Sequence, residues 1–234
     1  MPHAYPRVQT TCAAMLAVFL LSVPLLEAQV QLSTLSDAQG ASLGFGADSQ
    51  NRVGFVFTTD AHSYALNSIT ANLFENNAGT VVAQLFAADG SAFPTGTSLG
   101  SFSYGAISAS ASNVVFTPTS AISLSASTEY VFVLTSTGVN SNYGWNTARG
   151  DAVISMPAGN TWLMPSGHDY SGDGGTSWAL NSAPPFPGSA FILPLVAVDA
   201  TITAVPEPSA TAVMSGGLSL LVLLAWRRFS RGTV

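Results

Sequence analysis

Asp169, Ser171, Asp173 and Gly174 fall at the first, third, fifth and sixth positions of a calcium-binding loop. Oxygen ligands at alternate positions converge on a hard cation, and glycine at the sixth permits the sharp turn. The twelfth position is Leu180, where such a loop needs a bidentate glutamate, so half the motif is present. A glycine-rich turn in which aspartates hydrogen-bond their own backbone uses the same residues. Both readings stand at this level, with Asp169, Ser171 and Asp173 as the candidate calcium ligands.

Tyr143, Trp145, Trp162, Tyr170 and Trp178 crowd into one stretch of the chain. Indole and phenol rings stack on the apolar faces of sugars while their polar tips stay wet, so these five are candidate glycan-binding residues. Core packing at one end of the fold is the competing role. His62 and His168 are far apart and have no cysteine near them, which does not make a zinc set; both are expected to be exposed and solvated. Glu75 and Glu129 are joined by enough aspartates that some glycosidase-like pair can always be drawn, so the carboxylates single out no site. Gly100-Ser-Phe-Ser103-Tyr-Gly105 has one residue too many for a nucleophile elbow. No catalytic residue is assigned, and the chain is expected not to be an enzyme.

These residues sit in a chain whose periodicity is that of strands. Val53, Phe55 and Phe57 alternate, as do Ile69, Ala71 and Leu73. Further runs cover residues 80–87, 98–104, 113–117, 122–124, 129–135 and 191–202, with Pro194 marking an edge or bulge in the last. They recur about every ten to fifteen residues between Gly, Ser, Asn and Asp, and no amphipathic helical stretch intervenes. An all-β antiparallel β-sandwich of jelly-roll type is predicted over residues 29–203. Its core is expected from Phe55, Phe57, Phe86, Phe116, Tyr130 and Phe132.

The 234 residues carry a net charge of −6, with only 8% charged and 47% hydrophobic. So little charge argues against a disordered acidic tail. All 6 basic residues are arginines, and three of them stand at the extreme C-terminus, which leaves no basic surface for nucleic acid. Cys12 is the 1 cysteine, so no internal disulfide forms.

Cys12 lies in an apolar run that follows Arg7 and ends at Leu26-Glu27-Ala28. That order of charge, apolar core and small residue predicts a signal peptide over 1–28. At the other end, residues 209–226 form an uncharged apolar segment that is expected to be a single transmembrane helix about 27 Å long. Arg227, Arg228 and Arg231 follow at once. They act as a stop-transfer cluster and keep the C-terminus cytoplasmic and the preceding chain outside. Val205-Pro206-Glu207-Pro208 stands just ahead of the segment, extended because its prolines fix φ and remove donors.

The succession Val205-Pro206-Glu207-Pro208, apolar helix and arginine cluster resembles the PEP-CTERM sorting signal of exopolysaccharide-producing Gram-negative bacteria. The resemblance covers residues 204–234 and implies an exosortase-type membrane protease as partner, cutting near the Pro-Glu-Pro motif. The middle of the chain is also similar to a family. Tyr64-Ala-Leu66-Asn-Ser-Ile69-Thr-Ala-Asn-Leu73, Gln84-Leu85-Phe86, Phe116-Thr117-Pro118, the run from Ile122 through Thr128 to Tyr130 and Tyr143-Gly-Trp145 follow in the order of the choice-of-anchor R domain. That likeness implies an exported β-sandwich and carries over no catalytic residue.

The function expected from these features is an exported, non-enzymatic structural protein of the cell surface, extracellular matrix or biofilm. It begins as an inner-membrane anchored precursor with its domain outside, and ends at the surface or secreted. The alternative is a carbohydrate-binding module acting on extracellular polysaccharide with calcium assistance. No other cofactor and no nucleic-acid partner is expected.

Overall fold

The computed structural model describes residues 29–37, 39–46, 51–88, 90–138, 142–148, 154–164, 168–181 and 193–203. The expected signal segment, the Pro-Glu-Pro motif, the helix over 209–226 and the arginine cluster lie outside the described residues. Within them the chain is all-β, without a helix.

Thirteen strands follow in order: β1 (Gln29–Ser33), β2 (Gln39–Gly46), β3 (Arg52–Thr58), β4 (Tyr64–Asn77), β5 (Thr80–Ala88), β6 (Pro94–Tyr104) and β7 (Ser112–Pro118). Then come β8 (Ser123–Leu124), β9 (Glu129–Thr137), β10 (Asn142–Ala148), β11 (His168–Ser171), β12 (Ala179–Asn181) and β13 (Val196–Ile202). Ten of them form one hydrogen-bonded path, β1-β13-β4-β7-β6-β5-β9-β3-β11-β12, every pairing antiparallel. β6 carries the bend: its earlier residues pair with β5, while Phe102 to Tyr104 pair with β7. The sheet therefore curls on itself into a half-barrel.

Period-two alternation fills the inside of the curl. Ile69, Ala71 and Leu73 of β4 face inward with Val196, Val198 and Ala200 of β13, and Phe55, Phe57, Phe132 and Leu134 meet them from the other limb. Phe116 lies edge-on to Phe132 at 5.5 Å between ring centres, and Phe102 to the same ring at 5.2 Å. Edge-to-face rings place positive ring edges on negative faces, a gain beyond the area buried. Phe86 is a correction to the expected core. Val81, Ala83 and Leu85 take the inward positions of β5, so Phe86 falls on the opposite face, half-buried against Val56, Val131 and Val133.

β4 is the longest strand and the organiser. One edge takes β13 along Tyr64 to Ala71 and then β10 along Leu73 to Asn77; the other takes β8 and β7. Between β13 and β10 the chain forks at Leu195. Its carbonyl accepts from the Asn72 N–H at 3.0 Å and from the Trp145 indole N–H at 3.0 Å, and its N–H donates to Asn146 at 2.8 Å. A strap over residues 154–164 ties the two limbs, with Ser155 bridging to Ser33 of β1 and Leu163 to Thr58 of β3.

Candidate functional site

The five candidate glycan-binding rings do not form one surface strip. Trp145 is fully buried, 6.4 Å from the Phe55 ring and 6.2 Å from Phe132, with its indole N–H used by Leu195. Trp162, carried on the strap, stacks on Phe57 at 5.5 Å with 3° between the planes and meets Tyr64 edge-on at 4.9 Å. Tyr143 is buried and stacked on Phe45 at 5.7 Å. These three are core, because inward positions on β10 and a strap closing the curl leave them nowhere wet to go. Tyr170 is 39% exposed and its hydroxyl donates to Asn51 at 3.0 Å, while Trp178 is half-buried against Val56, Val131 and Val133.

The half calcium loop begins inside a strand. Asp169 and Ser171 belong to β11, held in register by Gly54 and Arg52 of β3, and both are buried. Only Gly54 allows this, since a Cβ there would stand 2.9 Å from Val131 Cγ1 and 3.0 Å from Asp169 Cβ. Asp173 follows on the exposed turn with Gly174 and Gly175 at φ +74° and +87°. Its Oδ2 accepts from the Ser177 hydroxyl at 2.5 Å, and its Oδ1 from the Ser177 N–H at 2.9 Å and the Ser171 hydroxyl at 2.8 Å. The Ser177 hydroxyl, the Ser177 N–H and the Ser171 hydroxyl pull the Asp173 carboxyl down to about 2. A cation at this turn has to displace those bonds, and among the described residues no three His, Cys, Asp or Glu side chains gather as a metal set.

The histidines separate. His168 is buried at the head of β11, not solvated as expected, because the strand needs its position paired with Asn181. His62 is exposed and its Nδ1 lies 3.0 Å from Asp60 Oδ1. The same oxygen accepts from the His62 N–H at 2.8 Å and the Tyr64 hydroxyl at 2.9 Å. Burial pushes the Asp60 carboxyl up, but the three donors outweigh it and hold it below its ordinary value. Burial, with the Asp60 charge beside it, pushes the Tyr64 phenol up to about 12.

A polar array that spacing along the chain does not announce lies on the outer face of β10, β4 and β7. Asn146 Nδ2 donates to Asn72 Oδ1 at 2.7 Å, and Asn72 Nδ2 donates to Asn113 Oδ1 at 2.7 Å. The amides thus run in one direction across three strands, from buried Asn146 to exposed Asn113. Asn146 Oδ1 is buried without a hydrogen bond, which ordinarily costs about 1–3 kcal/mol. The neighbouring row is Gly44, Gly144 and Phe74, adjacent by register on β2, β10 and β4. Phe74 lies so close over Gly144 that a Cβ there would collide with its ring carbons, whereas nothing stands within 4 Å of a Cβ built on Gly44. The result is a half-buried ring beside an open notch, with a row of amides along it. The outward positions Thr70, Asn72 and Phe74 were visible as the complement of Ile69, Ala71 and Leu73; their partners on β7 and β10 come from register. No family model and no curated protein matches the chain.

Proposed function

We propose that this chain is an exported, non-enzymatic protein whose all-β body is displayed at the cell surface or in the extracellular matrix after an exosortase-type membrane protease processes its C-terminus. The body is read as a choice-of-anchor R type sandwich with a jelly-roll-like core, on the resemblance of its motifs and on the two limbs of sheet whose rings meet inside the curl.

One observation carries the reading: β13 ends at Ile202, a few residues ahead of Val205-Pro206-Glu207-Pro208. The Thr203 N–H is still tied to Ser63 at 2.9 Å. β13 is paired on both edges, by β1 and β4, so a cut at the Pro-Glu-Pro motif leaves every described strand in the sheet.

Replacing Pro206, Glu207 and Pro208 with alanine tests the sorting step in the native host. The expected result is a full-length precursor held in the membrane fraction, with the body folded and outside. Normal release of a shortened body from that variant overturns the reading.

A further inference from the structure

We infer that the outer face of β10, β4 and β7, at Phe74, the Gly44 notch and the Asn113–Asn72–Asn146 row, is a binding site for a neutral pyranose-containing polysaccharide. This goes beyond the sorting proposal and does not rest on it, since the site lies wholly within the folded body.

The chemistry of the ligand follows from what the face offers. Asn72 and Asn113 present amides at strand spacing, each with donor capacity that the ladder does not use. Side-by-side donors and acceptors of this kind match the adjacent hydroxyls of a sugar ring. Phe74 is pressed onto Gly144 by one face and remains half-buried, so its other face is a platform for the C–H face of a pyranose. Gly44 leaves open space beside that platform, and a ring seated on Phe74 has its rim against the amide row. The flanking outward residues are Ser42, Thr70 and 49%-exposed Val115, which supply no counter-charge for an ionised ligand. A net charge of −6 disfavours polyanions further.

The test uses the full-length chain purified in detergent, probed on an array of neutral oligosaccharides (gluco-, galacto- and manno-configured) and uronate-containing ones. Gly44→Val and Asn113→Ala are the diagnostic variants. Gly44 is exposed, its φ is not left-handed and the space above it is open, so valine fills the notch without disturbing the strand. Asn113 is exposed, so its truncation leaves the core alone. Binding to at least one neutral glycan by the wild-type chain, weakened about tenfold or more in each variant, is the expected result. A blank array, binding confined to uronates, or neutral binding that either variant retains at full strength overturns the inference. None of these outcomes bears on whether the C-terminus is cut.

Discussion

Asp60 and Tyr64 show how one oxygen sets the behaviour of a corner of the fold. The Tyr64 hydroxyl is a buried donor to a carboxylate, so its ionised form is disfavoured twice, by lost solvation and by like charge. In the unfolded chain the phenol ionises near 10, whereas in the fold it does so at about 12. The folded state therefore holds its proton more tightly. The associated stability is complete below pH 10 and is lost as pH rises from about 10 to about 12. Equilibrium unfolding followed by tryptophan fluorescence should show that alkaline decline, and Tyr64→Phe should flatten it. An unchanged slope in Tyr64→Phe would mean that another group governs the window. None of this was readable from the spacing Asp60-x-His62-x-Tyr64, because the value comes from burial of the phenol in the fold, beside the Asp60 carboxylate.

At the scale of elements, what could be read along the chain was the strands that alternate on their own. β3, β5, β7 and β9 declare themselves through Val, Phe and Leu at period two. β2, β10, β11 and β12 did not, being rich in Gly, Asn, Ser and Asp; partners across the sheet hold them in place. The aromatic cluster misled for the same reason: Trp145 and Trp162 sit in polar local sequence, and only the fork at Leu195 and the strap reveal them as core. The Asn row was half legible on β4 and otherwise a product of register. Gly144 makes this measurable. An alanine there pushes Phe74 off the strand and should lower stability by about 1–3 kcal/mol in urea unfolding. Phe74→Ala should largely remove the added cost of Gly144→Ala, a coupling that a double-mutant cycle reads directly. Strictly additive losses would show that the ring does not rest on this glycine.

For the whole molecule, the proposal is a folded all-β body released by C-terminal processing. At the ends, a signal peptide and a Pro-Glu-Pro, apolar segment, arginine series are expected from order and charge alone, and both lie outside the described residues. The body was legible as all-β but not in its curl, which depends on β6 pairing with both limbs. β13, paired on both edges by β1 and β4, ends at Ile202, ahead of the Pro-Glu-Pro motif where the proposed cut would fall. The most direct measurement is the intact mass of the protein recovered from the cell surface or medium of its native host. The account predicts a chain that starts at Gln29 and lacks everything from Ser209 onward. A surface protein that still carries Trp226 and Arg227 would contradict it.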